Sequence, residues 1–269
     1  MRLAVDHRTS YRFTEPQARV IQLLRMTPSD HDAQTVVDWR IDVSCDARLK
    51  AGRDGFGNCT HMLYIDGPVE AVELSVHGEV LTEDSAGVVL GASEPLPPSL
   101  FVRATPLTHP GDRLPEFAHD AAGPEGDPIE RLHRLDRAIC GAFRRLEGRP
   151  VIGRSAADIF ETGEGFARDI AHLFIAGARA IGIPARFVCG HYLDPRNPLH
   201  TAHSWAEAHI DGLGWLGFDP CVGFSPDESY IRVATGLDAS YATPVSGARV
   251  GGGAEELHVD VRVDVGIEE

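Results

Sequence analysis

Gly163-Glu-Gly-Phe-Ala-Arg-Asp-Ile-Ala-His-Leu173 runs from two glycines into an apolar stripe at helical spacing. Phe166, Ile170, Leu173, Phe174, Gly177 and Ile181 recur at three- and four-residue steps, which predicts a central helix from Phe166 to Ile181. Gly182 and Pro184 stop it. The glycines permit a close approach of strand to helix, so position 167 falls at a helix N-terminus. Unpaired N–H groups and the positive end of the helix dipole stabilise an anion there, whether a thiolate or the oxyanion of an attacked carbonyl.

Working downstream, Ala185–Leu193 reads as a strand, followed by a polar loop, Asp194–Thr201. His203–Ile210 and Trp215–Asp219 read as a hairpin around Asp211-Gly-Leu-Gly214. His203 opens one strand and Asp219 closes the next. Side chains alternate along strands, so an odd-numbered loop or a bulge is required if these two are to share a face. Near the end, Leu257–Val265 alternates strictly and predicts a returning strand with one buried face.

Working upstream, Asp127 and Pro128 predict the start of a helix over 128–147, with Ile129, Leu132, Leu135 and Ile139 on one side. Ser155 predicts the cap of a short helix, Ala156–Glu161. Residues 83–127 are rich in Pro, Gly and Ser and read as a linker with a short ordered piece near Phe101–Phe117. Residues 1–82 read as β structure: Leu3, Val5, His7, Thr9, Tyr11 and Phe13 alternate onto one face. Further strands are predicted at Val20–Met26, Val36–Val43, Cys59–Ile65 and Val69–Leu81. Turns are predicted at Thr27–Asp30, Asp54–Asn58 and Asp66–Pro68. The fold class expected is α+β, with an N-terminal antiparallel β-sandwich over 1–82 and a second domain over 128–269.

Composition narrows the partners. The 269 residues, 43% of them apolar, suffice for a sizeable core. A net charge of −15 argues against nucleic acid and against anionic membrane surfaces, and suits either plain solubility or an acidic cleft for a basic substrate. No apolar run reaches about 18 residues, so no transmembrane helix is expected. The opening residues lack an apolar signal core, and a cytoplasmic location is expected. The five cysteines show no metal-ligand spacing and are expected to be thiols, with no metal site.

Gly165, Asp169, Ala171, His172 and Leu173, then His203 and Trp205, then Gly214, Trp215, Phe218, Asp219 and Pro220 occur in order over about 60 residues. In this the chain resembles the bacterial transglutaminase-like cysteine proteases, whose core reads roughly Gly-x-Cys-x-Asp-Phe-Ala-His-Leu, His-Ala-Trp and Gly-Trp-x-x-Phe-Asp-Pro. The opening strand and Asp54-Gly-Phe-Gly-Asn58 resemble the β domain that accompanies that core. The resemblance implies a papain-like transglutaminase core and a Cys-His-Asp triad acting on peptide amide bonds, with His203 and Asp219 in their places and Ala167 where Cys is expected. It implies a peptide or protein substrate and no cofactor. With alanine at 167 the chain as given is expected to be inactive, as an engineered Cys-to-Ala form. The alternatives are a natural pseudoenzyme that binds a peptide or protein partner, and an amine-accepting acyltransferase or ligase. Arg168, where Gln is common, and Trp205 are candidate substrate contacts. His172 reads as a core residue, and Cys221 as a thiol near the histidine without a helix N-terminus.

Overall fold

Alternating burial runs through the first strand: Leu3, Val5, His7, Thr9, Tyr11 and Phe13 are all buried, as the period-two pattern requires. The computed structural model describes residues 1–148, 151, 153–193 and 202–266. In chain order its elements are β1 (Arg2–Thr27), β2 (Gln34–Val43), β3 (Arg48–Arg53), β4 (Cys59–Thr82), β5 (Val88–Val89), α1 (Arg113–Ala122), α2 (Pro128–Ala142), β6 (Arg144–Arg145), α3 (Ala156–Thr162), β7 (Glu164–Gly165), α4 (Ala167–Ala180), β8 (Ala185–Tyr192), β9 (His203–Ile210), β10 (Gly214–Phe218), β11 (Tyr230–Gly236), α5 (Ala239–Ala242), β12 (Val245–Val250) and β13 (Glu255–Val265). Among the described residues, no helix is long and apolar enough to cross a membrane.

The N-terminal sandwich is one antiparallel sheet folded on itself. β1 and β4 pair along most of their length; β2 and β13 flank one half, and β3 and β12 the other. Tyr11, Phe13, Val72 and Leu74 of the first half share a core with Val20, Leu24, Leu63 and Ile65 of the second. The fold falls where the β1–β4 register shifts, between Arg12 and Arg19. Asp66–Pro68, expected to be a turn, lies inside β4 at this irregularity, where a proline without an N–H is tolerated. β13 returns along β1, pairing Leu3 with Val265 and Phe13 with Glu255.

The second sheet runs β11-β8-β9-β10-β5. α4 packs on its β8–β9 centre, with Phe174 stacked on Phe218 at 4.9 Å, and α1, α2 and α3 pack around α4. α2 begins as expected, with the Asp127 side chain accepting from the Ile129 N–H. It ends at Ala142 rather than 147, because the next backbone is drawn into pairing: Arg144 N donates to Gly163 O and Leu146 N to Gly165 O. Within 83–127, β5 joins β10, Phe101 packs edge-on to Trp215 at 5.0 Å, and α1 lies on α4.

β11 is an edge strand, and two side-chain amides cover it. Gln34 donates to Arg232 O and accepts from Arg232 N; Asn58 does the same with Thr235. Each amide mimics one residue of a neighbouring strand, which closes the edge and joins the sandwich to the core.

Candidate active site

The start of α4 is built by its neighbours. Ser155 and Asp158 form a capping box on α3. Gly163 then turns the chain through a left-handed conformation, with φ of 73°. At Gly165 a Cβ would lie 2.8 Å from Asp169 Cβ and 3.1 Å from Ile159, so only glycine fits where β7 meets the helix. Asp169 Oδ2 accepts from Phe166 N at 3.2 Å. Ala167 is the first residue of α4 and partly exposed, and no intrahelical carbonyl precedes its N–H or that of Arg168. Arg168 is held by its neighbours: Nη2 donates to Val151 O at 2.7 Å and Nε lies 3.5 Å from Asp169 Oδ1.

The hairpin loop is three residues long, since Gly214 pairs with Ile210 and Trp215 with His209. That odd count places His203 and Asp219 on a common face. His203 Nε2 and Asp219 Oδ2 are 2.5 Å apart, and both residues are buried. Two more donors converge on this carboxylate: Tyr230 Oη–H reaches Oδ2 at 2.9 Å and Cys221 N–H reaches Oδ1 at 3.0 Å. Burial alone would raise the Asp219 carboxyl, but the field and hydrogen bond of His203, with the other two donors, outweigh it and hold the carboxyl low. Asp219 is therefore an anion that only accepts, which fixes the ring proton on Nε2 and leaves the lone pair on Nδ1. Among the described residues, Nδ1 takes part in no hydrogen bond.

An aromatic wall fixes the ring. Tyr192 stacks on Tyr230 at 4.3 Å, and Trp205 meets Tyr230 edge-on at 5.3 Å. Tyr192 and Trp205 lie 5.3 and 6.3 Å from His203. Trp205 is only 2% exposed, so it lies within the aromatic cluster beside the imidazole rather than facing solvent. Gly190, opposite His203, makes room for it: a Cβ there would lie 2.1 Å from Ile231 O and 2.7 Å from the Trp205 ring.

The structure thus joins His203 to Asp219 directly and sets Trp205 beside the imidazole. It sets position 167 at the head of the helix that packs against β9. Arg145 links the two parts, because its backbone pairs with Gly165 and its charge acts on Cys221. The Asp194–Thr201 loop lies outside the described residues. His172 is buried at the α4–α5 contact, its Nε2 accepting from Ala239 N at 3.1 Å, and burial keeps it neutral. The Cys221 thiol is pushed well up by burial and by Asp219, so it is no thiolate at neutral pH. Tyr192 and Tyr230 escaped the sequence reading. Tyr230–Gly236 is buried almost throughout and carries no alternating signal, and nothing local says that its first residue reaches Asp219.

Residues 3–81 match the family model described as the bacterial transglutaminase-like N-terminal region, and residues 115–220 match that of the transglutaminase-like superfamily. An uncharacterized protein of Mycobacterium leprae is 28% identical over 287 residues, covering 97% of this chain and 98% of its own length. A protein-glutamine gamma-glutamyltransferase of Pseudomonas aeruginosa is 28% identical over 149 residues, which is 48% of this chain and 22% of that protein. A crystal structure described as that of a candidate cysteine protease from Cytophaga hutchinsonii has a TM-score of 0.77 at 21% identity, covering 100% of this chain and 92% of the other, a likeness of fold.

Proposed function

The chain belongs to the transglutaminase-like superfamily, and from that premise we propose that its site is built for thiol-dependent acyl chemistry on peptide amide bonds. Position 167 is the place of the nucleophile, His203 the base and Asp219 the orienting carboxylate. The observation that carries this reading is the buried His203–Asp219 pair at 2.5 Å, with Nε2 committed to the carboxylate.

With cysteine at 167, His203 Nδ1 takes the thiol proton and sulfur attacks the amide carbon. The oxyanion that forms is met by N–H groups of the first turn of α4. Collapse breaks the C–N bond, and His203 returns its proton to the leaving amine. The acyl-enzyme then passes to water, or to an amine in the acyltransferase variant of the same chemistry. Arg168 and Trp205 act on substrate indirectly in this scheme, the first by holding Val151 and the second by holding the imidazole.

Ala167 removes the nucleophile, since a methyl group has neither a lone pair nor a proton for His203 to take. A chain released from catalysis has no chemical need of a three-donor carboxylate on its histidine, which supports an engineered alanine over a natural pseudoenzyme. The native codon at position 167 decides between them. The proposal is tested by incubating Ala167→Cys with a peptide mixture, with and without a primary amine, and reading the products by mass spectrometry. His203-dependent cleavage or amine incorporation is the expected result. Product from neither Ala167→Cys nor the starting protein, with retained peptide binding, favours the binding-protein reading instead.

A further inference from the structure

Asp136 has no part in the chemistry above, yet it is fully buried on α2 with no hydrogen bond on either carboxyl oxygen. A buried carboxylate without donors is costly, so the group takes up a proton unless something compensates it. α2 fixes what it faces. His133, Asp136 and Cys140 fall on one side of the helix. The His133 ring lies edge-on to Phe218 at 5.0 Å, and Cys140 Sγ lies 3.3 Å from where a Cβ on Gly223 would be. The stripe thus runs along residues 218–223, and Asp136, between its ends, faces the part of that segment that holds Asp219.

A fully buried carboxyl without donors, facing a second carboxyl that is held ionised, favours its protonated form. Asp219 accepts from three donors and Asp136 from none, so the anion is Asp219 and the proton sits on Asp136. Burial first, then the charge of Asp219, pushes the Asp136 carboxyl up to about 8, with Arg137 pulling weakly the other way. The remaining neighbours leave that balance in place. On the turn and on α2, Cys221 and Cys140 are held as thiols and the His133 pKa is lowered. On α4, Arg168 and Asp169 pair with each other and His172 is bonded to Ala239; on α1, Glu116, His119 and Asp120 are exposed. Among the described residues, the side chains of His203 and Tyr230 are bonded to Asp219, and Arg145 acts on Cys221.

We propose that Asp136 is a positioning residue for the His203–Asp219 pair: as a neutral acid it backs Asp219, and on losing its proton to solvent it becomes a second buried anion that tightens the proton on His203. The inference rests on the reading of His203 as the base. It gives the site a pH dependence set by a group that never touches substrate: the added anion favours imidazolium, so Nδ1 becomes a stronger base that holds a captured proton more firmly.

The test is an NMR titration of the His203 ring between about pH 6 and about pH 10, in the unmodified protein and in Asp136→Asn. The unmodified protein is expected to show an inflection in the His203 signals near the Asp136 value of about 8, and the variant to lack it. Superimposable curves overturn the proposal. Should Asp136→Asn not fold, infrared difference spectra of the unmodified protein decide. Among the described residues, Asp136 is the carboxyl pushed up in this way. A protonated-carboxyl band present at neutral pH and lost over the same range is expected, and its absence overturns the proposal. Neither readout needs a nucleophile or turnover, so failure of the acyl-transfer reading registers separately.

Discussion

Tyr230→Phe deletes one oxygen and leaves the ring stack on Tyr192 intact, which isolates the Tyr230–Asp219 hydrogen bond. The bond is 2.9 Å long, its acceptor is an anion, and both residues are buried. Hydrogen bonds to charged groups contribute about 1.5–3 kcal/mol, and a buried carboxylate short of a donor feels the whole of that loss. For a chain of this size this corresponds to a fall in Tm of about 3–12 °C at neutral pH. The loss has a pH signature. The folded Asp219 carboxyl is held below its ordinary value, so its stabilisation is complete above the unfolded carboxyl value of about 3.9 and is lost as pH falls through the folded value. Removing a donor moves the folded value up towards the ordinary one. The gap between the unmodified protein and Tyr230→Phe is therefore widest near neutral pH and narrows in acid. Denaturant unfolding of both proteins at several pH values measures it, with equal m-values as the check that only stability has changed. A gap below about 0.5 kcal/mol at neutral pH, or one that does not narrow in acid, refutes the reasoning.

Other expectations follow from the same contacts. Glu207 is fully buried between Arg186 and Arg232, both at 2.7 Å, so Glu207→Gln leaves the buried Arg186 guanidinium with Glu94 alone; a loss of about 3–5 kcal/mol in denaturant unfolding is expected. Gly190→Ala drives a methyl into Ile231 O and the Trp205 ring, and is expected to abolish native Trp205 fluorescence or soluble expression. In Ala167→Cys, adding Cys221→Ser is expected to leave the rate of labelling by a thiol-directed electrophile unchanged, since the Cys221 thiol is held protonated.

Much of this arrangement is legible before any coordinates. The period-two run in Leu3–Phe13 and the helical stripe after Phe166 report burial directly, because each face meets a core. The caps at Asp127 and Ser155 are local hydrogen bonds and so are local in sequence. His203 and Asp219 could be matched by parity once the hairpin was seen. What escaped is whatever depends on partners distant in the chain. β3 is exposed on both faces and carries no alternating apolar signal. Gln34 and Asn58 look like ordinary polar residues until β11 stands beside them. The end of α2 was misplaced because β7 takes its last backbone groups, and Asp66–Pro68 looks like a turn because a bulge uses the same residues. Tyr230 and Asp136 acquire meaning only from Asp219, which each reaches from another element.

The most direct test of the central claim is intact-mass analysis of Ala167→Cys after brief exposure to a peptide-like thiol-directed electrophile. The starting protein and Ala167→Cys with His203→Ala serve as controls. The account predicts rapid single labelling of Ala167→Cys alone, because His203, its Nε2 held by Asp219, offers Nδ1 to the new thiol at the head of α4. Labelling no faster than that of the five native cysteines, or equally fast without His203, would contradict it.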